Sequence, residues 1–113
     1  MLFRSALPTL RQALGDNYRL VRAYAMPGYT LLADATEVVD TLTPIAESDP
    51  FFGVRAEAFA SLSIKAAGQA DATLRQRVVD FLNTRRAIEV AQGGAGSERI
   101  IAEIDRGLAR LAT

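Results

Sequence analysis

Two aspartates and two arginines recur at matched positions and carry the most regular polar chemistry of this chain. Asp16 precedes Arg22 by six positions, and Asp49 precedes Arg55 by the same six. The second pair follows the first by 33 positions, so a carboxylate and a guanidinium return with one period. Such groups can hold a charged ligand, or they can form ion pairs that tie two turns together. Identical pairs at one period favour the structural tie.

Few other side chains offer catalytic chemistry. Histidine and cysteine are absent, which excludes imidazole acid–base chemistry, thiolate nucleophiles and the common nitrogen and sulfur metal ligands from this segment. The carboxylates of Asp34, Glu37 and Asp40 lie close together in sequence, but helix capping accounts for the first two. We therefore expect no catalytic residue, no cofactor and no metal in this segment, although a longer parent chain could be an enzyme.

Composition limits the class of protein and of partner. The chain has 113 residues, 50% hydrophobic and 23% charged, which is enough for one small globular domain or about three short helical repeats. Thirteen basic residues balance thirteen acidic ones, so no net charge favours nucleic acid or an anionic membrane as the main partner. No apolar run approaches the roughly 18 residues of a membrane span, and we expect a cytoplasmic protein.

The first five residues, MLFRS, resemble the translation of a common sequencing adapter. This resemblance predicts that residues 1–5 are a non-native leader and that residues 6–113 form the domain, as the C-terminal fragment of a larger protein. The alternative is an ordinary start in which Ser5 caps the first helix.

Hydrophobic periodicity predicts six helices and no clear strand. Pro27 and Gly28 are predicted to end the second helix. The apolar segment 29–33 is predicted to form a connector or an extra helical turn, with a single strand as the alternative. Asp34 and Asp71 are predicted N-caps, and residues 92–96 (QGGAG) a flexible interruption. The predicted helices cover about residues 5–14, 18–25, 34–46, 51–66, 72–85 with an extension through 87–91, and 97–111.

The two Asp–Arg pairs belong to a longer repeat. Residues 13–25 (ALGDNYRLVRAYA) align without a gap on residues 46–58 (AESDPFFGVRAEA), with six of thirteen positions identical. Val21 and Val54 precede the arginines and are predicted to face a shared core. The period predicts repeat units at about 6–33 and 36–66, followed by an irregular helical cap at about 71–112, because Ala87 and Ile88 stand where Val-Arg would fall.

The order of helix, aspartate turn, Val-Arg and second helix resembles HEAT repeats and the short phycobilisome-lyase-type relatives of that family. Pro8, Asp16 and Arg22 match the family's proline, aspartate and arginine positions in the first unit. The second unit lacks the proline, because Thr41 stands at that position. The resemblance implies an all-α superhelix, a HEAT-like or armadillo-like solenoid, with a non-catalytic role in protein–protein interaction or scaffolding.

A second resemblance implies a different class. Residues 48–62 (SDPFFGVRAEAFASL) are similar to a segment in the helical C-terminal domain of M1-family zinc aminopeptidases. The chain would then be the non-catalytic end of an enzyme whose zinc motif lies upstream. A small self-contained helical bundle that dimerises through its apolar faces is a third alternative.

Aromatic residues form the first candidate partner surface. Tyr18 stands at the Phe51 position of the first unit, and with Phe51 and Phe52 it could form an exposed ridge. The favoured interpretation is instead that one ring of each unit seals the core between repeats.

Arginines of the fifth helix form the second candidate surface. Arg75, Arg77, Arg85 and Arg86 could bind phosphates or an acidic peptide, although a solvated face is the favoured interpretation because acidic residues are interspersed. The partner we expect is a protein or peptide of unknown identity, or another domain of the same parent chain.

Overall fold

The structure is a computed structural model that describes the backbone of residues 2–113 and the side chains of residues 6–113. All of its regular elements are helices, which confirms the predicted all-α fold for this range. Met1 and the side chains of residues 2–5 lie outside the described part, so the non-native leader stays a prediction. The helices are α1 (Leu2–Ala13), α2 (Arg19–Leu32), α3 (Ala35–Ser48), α4 (Phe52–Ala67), α5 (Ala72–Gln92) and α6 (Ser97–Ala112).

The six helices form three consecutive hairpins, α1–α2, α3–α4 and α5–α6. The even-numbered helices pack side by side in order, with α2 on one flank of α4 and α6 on the other, and α3 also contacts α5. The body measures 43 × 34 × 17 Å, and its short dimension corresponds to two layers of helices. Helix α4 therefore lies at the centre.

Small residues bring the neighbours of α4 close to its backbone. Ala56, Ala58, Ser63 and Ala66 are almost completely buried along α4, and Phe59 fills the space between the helices and stacks on Phe81. The fully buried large side chains come from all three hairpins: Met26, Tyr29, Val38, Val39, Leu42, Phe59, Leu62, Val78, Leu82, Ile100 and Ile104. One core thus runs through the three hairpins.

Helix α2 is longer than the sequence predicts. It continues through Pro27 and Gly28 to Leu32, so the predicted end near Ala25 is wrong. Pro27 removes a backbone donor and crowds the preceding turn, but continuation of the helix buries Tyr29 completely. The Tyr29 hydroxyl also donates to the Glu37 carboxylate at 2.8 Å. Tertiary packing therefore outweighs the local helix-stop signal.

The predicted N-caps of α3 and α5 are confirmed. The Asp34 carboxylate accepts the backbone N–H of Glu37 at 2.9 Å at the start of α3. The Asp71 carboxylate accepts the N–H groups of Thr73 and Leu74 at 2.9 and 3.1 Å at the start of α5. Each bond satisfies donors that a helix start leaves without an intrahelical partner.

The C-terminal part consists of α5 and α6, which pack on each other as a third hairpin. Helix α5 includes the predicted extension and ends at Gln92. The predicted flexible interruption is a turn in which Gly93, Gly94 and Gly96 all have positive φ. A side chain at Gly96 would place its Cβ 2.2 Å from the Phe52 ring, so Phe52 packs directly on this turn. Glycine is required at position 96, both for the positive φ and for the close contact with Phe52.

Candidate protein-interaction surface

A buried ion pair joins the first two hairpins. Arg22 Nε donates to Asp49 Oδ2 at 2.8 Å, and Arg22 Nη2 donates to Asp49 Oδ1 at 3.0 Å. The side chains are only 10% and 6% exposed. Arg22 Nη1 also donates to the backbone carbonyl of Asp16 at 2.8 Å, in the turn of its own hairpin. Arg22 therefore bonds to its own turn and to the next one.

The two repeated aspartates also shape the turns in which they lie. Asp16 Oδ1 accepts the Tyr18 N–H at 2.8 Å, and Asp49 Oδ1 accepts the Phe51 N–H at 3.0 Å. The same local bond thus occurs at both positions of the repeat. The guanidinium carbon of Arg22 also lies 5.7 Å from the centre of the Phe51 ring, within cation–π range.

The second repeated arginine binds a residue that the repeat does not predict. Arg55 Nε donates to the Ala46 carbonyl at 2.8 Å, and Arg55 Nη2 donates to the carboxylate of Glu89 near the end of α5. Glu89 is 3% exposed and also accepts from Arg85 Nη2 at 3.0 Å. Its backbone carbonyl accepts the Ser97 hydroxyl at 3.1 Å. Arg55 thus bonds to its own hairpin and to the next, as Arg22 does.

No fixed period could have located Glu89. Helix α5 has 21 residues and α3 has 14, so the acidic partner of Arg55 lies beyond the position where a 33-residue repeat would place it. An acidic residue near the end of an amphipathic helix is also too common a feature to be singled out in sequence.

The four arginines of α5 do not converge on one point, because each bonds to a different group of this chain and Arg85 points inward to Glu89. The role of these arginines as a partner surface stays a prediction. The partners are the Leu111 carbonyl for Arg75 (3.2 Å), Asp40 for Arg77 (2.5 Å), Glu89 for Arg85 (3.0 Å) and Asp105 for Arg86 (2.6 Å).

The aromatic residues do not seal the core between repeats. Tyr18 is 55% exposed, Phe51 40% and Phe52 44%. The favoured core interpretation is therefore wrong, and Tyr29 and Phe59 fill the interior instead. Val54 is buried as predicted, but Val21 is exposed, because the buried face of α2 runs along Arg22, Ala25, Met26 and Tyr29.

An apolar groove lies between α2 and α4. Its α2 wall carries Leu20, Tyr24, Pro27 and Leu31, and its α4 wall carries Phe52 and Ile64. We call this feature the α2–α4 groove. It comprises two adjoining clefts of about 680 and 450 Å³ that share Pro27 and Glu57. The α2 positions are spaced 4-3-4, which places them on one face of a helix.

Charged side chains mark the two ends of the α2–α4 groove and its middle. Arg19 and Arg99 lie at the end beside Phe51 and Phe52, where the Arg19 guanidinium carbon is 4.8 Å from the centre of the Phe51 ring. Lys65 lies at the opposite end, and Glu57 lies between them. The groove thus combines an apolar floor with separate polar groups, as binding clefts commonly do.

The opposite flank of α4 is closed. Gly107 of α6 lies so close to α4 that a Cβ there would be 2.8 Å from the Ser63 Cβ. Arg110 Nη1 donates to the Ser63 hydroxyl at 2.8 Å across the same contact. Close approach through glycine leaves no room for a groove on this side.

A polar cluster holds the end of α2 that lies away from the Arg22–Asp49 pair. Arg11 donates to both carboxylate oxygens of Glu37, at 2.9 and 2.8 Å. Hydrogen bonds from Arg11 and then from Tyr29 lower the pKa of Glu37 to about 2. Burial raises the pKa of Tyr29 to about 12. Both pKa shifts favour a neutral Tyr29 hydroxyl that donates to an ionised Glu37 carboxylate. This cluster therefore has a structural role.

Comparisons with known protein families, with curated proteins and with solved structures find no match to this chain. Among the described residues, no three acidic side chains are placed so that they could hold a metal ion. No described helix has the length and apolarity needed to cross a membrane.

Proposed function

We propose that this chain is a non-catalytic helical-repeat module, stacked like HEAT repeats, that binds a protein or peptide partner in the α2–α4 groove. In this proposal the three hairpins form a short solenoid with the even-numbered helices on one side. The module works by presenting a preformed surface, so the proposal involves no reaction and no cofactor.

The ion pairs support the repeat part of the proposal. Arg22 and Arg55 each bond to a backbone carbonyl of their own hairpin and to a buried carboxylate of the next hairpin. Contacts between neighbouring units are what stabilises a repeat stack. The third hairpin has no matching arginine. The fourth residue of α2 is Arg22 and that of α4 is Arg55, whereas the fourth residue of α6 is the buried Ile100.

The distribution of exposed apolar side chains carries the binding part of the proposal. Of nine large hydrophobic side chains exposed in the described structure, eight lie on α2, on α4 or at the residue just before each helix. Six of these eight line the α2–α4 groove, and exposed apolar surface of this kind marks a binding site in soluble proteins. The eight are Tyr18, Leu20, Val21, Tyr24, Leu31, Phe51, Phe52 and Ile64, and the ninth is Val90 on α5.

Selection of a displayed random-peptide library on the full chain tests this function. We expect enriched peptides that bind the parent protein and lose at least about tenfold in affinity for Leu31→Lys, since a buried charge replaces an apolar contact. Val90→Lys is the matched control, because Val90 is 57% exposed but lies outside the groove. It should bind the peptides as the parent does.

The proposed function is overturned if the selection enriches no peptide. It is also overturned if the enriched peptides bind Leu31→Lys as tightly as they bind Val90→Lys. Both variants alter exposed positions, so circular dichroism should show the parent helix content in each.

A further inference from the structure

The basic side chains of this molecule fall into two groups. Nine of the twelve on residues 6–113 donate to a carboxylate, a carbonyl or a hydroxyl. The engaged residues are Arg11, Arg22, Arg55, Arg75, Arg77, Arg85, Arg86, Arg106 and Arg110. Within the described part of the chain, Arg19, Lys65 and Arg99 have neither a hydrogen bond nor an ion pair from the side chain.

All three cations without a hydrogen bond or an ion pair line the α2–α4 groove, where Arg19 also lies over the ring of Phe51. Arg19 and Arg99 lie at one end and Lys65 lies at the other. Glu57 is the only acidic side chain among the groove residues, and it lies between them. The chain as a whole is neutral, so this local excess of positive charge is a property of the groove. Complementary charge is what selects one class of partner over another.

The walls of the groove favour a helical occupant over an extended one. Both walls are helices whose backbone groups bond within the helix, so they offer no sheet edge to pair with an added strand. An extended segment would therefore gain no backbone hydrogen bonds from these walls. A helix satisfies its own backbone groups internally and can place its apolar stripe on the floor.

The spacing of the cations sets the size of the occupant. Along α4, from Phe52 to Lys65, the groove is about 20 Å long at 1.5 Å per residue, which is close to four helical turns. Acidic residues near both ends of such a helix would meet Arg19 and Arg99 at one end and Lys65 at the other.

We propose that the partner segment in the α2–α4 groove is an amphipathic helix of about four turns, apolar on one face and acidic at both ends. The inference rests on the proposed function and adds the chemistry of the partner to it. The helix buries its apolar stripe against Leu20, Tyr24 and Leu31, while its terminal carboxylates pair with the three free cations.

Two synthetic peptides and the full chain test this assignment. Each fluorescein-labelled peptide has about 16 residues and an identical leucine stripe at helical spacing, with glutamates at both ends in one and lysines in the other. Fluorescence anisotropy measures binding to the parent chain and to two variants. One variant reverses the charges (Arg19→Glu, Lys65→Glu and Arg99→Glu together), and the other is Leu31→Lys.

We expect the parent chain to bind the glutamate peptide at least about tenfold more tightly than the lysine peptide. This preference should shrink when the salt concentration rises from about 0.01 M to about 1 M, because the Debye length falls from about 30 to about 3 Å. The charge-reversed variant should prefer the lysine peptide. Leu31→Lys should weaken binding of both peptides.

The pattern of failure separates the two proposals. The acidic-helix inference is overturned if the parent binds both peptides equally, or if charge reversal leaves the preference unchanged. In either case the α2–α4 groove is still the proposed binding site. If Leu31→Lys binds as the parent does, or if neither peptide binds, the groove itself is overturned as the binding site. Circular dichroism of each variant shows whether it retains the parent helix content.

Discussion

The two flanks of α4 are built differently although the same helix supplies both. On one flank α6 approaches so closely that Gly107 touches Ser63. On the other flank α2 presents Tyr24 and Leu31, which are 79% and 76% exposed above the groove. Each flank nevertheless has one buried arginine ion pair near its turn, Arg22 with Asp49 and Arg55 with Glu89. The groove therefore does not result from a loosely attached α2.

This difference indicates what holds the groove open. Helix α2 is fixed at one end by Arg22 and at the other by the hydrogen bond from Tyr29 to Glu37. Both partners belong to the second hairpin but lie outside α4 itself. Polar contacts at its ends thus position α2, and its large outward side chains are free for another molecule. The two flanks can be tested by substitutions matched between them.

The largest effect is expected at the buried ion pairs. Arg22→Ala should destabilise the fold by about 3–5 kcal/mol, because it leaves the buried carboxylate of Asp49 without its partner. Arg55→Ala should cost less on the other flank, because Arg85 still donates to the buried carboxylate of Glu89. Urea denaturation measures both, with Arg77→Ala as the control, since both side chains of the Arg77–Asp40 pair are about half exposed. The control should lose less than about 1 kcal/mol. Equal losses for Arg22→Ala and Arg77→Ala would contradict the structural role.

A matched pair of glycine substitutions sharpens the comparison between the flanks. Gly107→Ala should cost about 1–3 kcal/mol, because the new Cβ would meet Ser63 of α4. Gly53→Ala, on the groove side, should be neutral or stabilising by up to about 1 kcal/mol. Its Cβ would lie 3.5 Å from the Arg99 guanidinium, an ordinary contact, and alanine favours the helix. If the two substitutions have the same effect on the free energy of unfolding, the flanks do not differ as described.

A smaller effect is expected from pH at the far end of α2. The pKa of Glu37 is lowered from its usual 4.5 to about 2 in the folded protein, so the unfolded chain binds this proton more readily. The stabilisation is therefore complete above about pH 4.5 and is lost as the pH falls towards 2. In Glu37→Gln, the fall in the free energy of unfolding between neutral and acid pH should be smaller by about 1 kcal/mol than in the parent. This value allows for solvent screening of the ion pair, because the Glu37 side chain is 29% exposed.

Urea denaturation between about pH 5 and pH 2 measures this change. Glu98→Gln is the control, because Glu98 is exposed and its side chain has no partner in the described structure. The control should retain the parent pH dependence. An unchanged profile in Glu37→Gln would show that this cluster does not fix the end of α2.

Local signals in the sequence were sufficient for most helix bounds and for the N-caps of α3 and α5. Asp34 and Asp71 mark the starts of α3 and α5 because a carboxylate there satisfies free backbone donors. Periodicity likewise locates α4 and α6 to within one residue at each end. The end of α2 could not be predicted, because burial of Tyr29 stabilises a helix that Pro27 would otherwise end.

The same error concealed the groove. With α2 ended near Ala25, the stripe of Leu20, Tyr24, Pro27 and Leu31 is cut in half and no longer forms one face of a helix. The aromatic residues at the starts of α2 and α4 were identified in the sequence. Their exposure could not be predicted, because it depends on which face of α2 meets the core. The partner of Arg55 could not be predicted either, because it depends on the length of α5.

Chemical-shift mapping of the parent chain tests the central claim most directly. The uniformly ¹⁵N-labelled protein is titrated with the tightest peptide from the library selection, and each backbone amide is followed by two-dimensional NMR. The account predicts the largest shifts at α2 and α4 amides along the groove, near Tyr24, Leu31 and Ile64, with little change at Val90 or at Gly107. If the largest shifts lie on α5 or α6 and the groove amides do not move, the α2–α4 groove is not the binding surface.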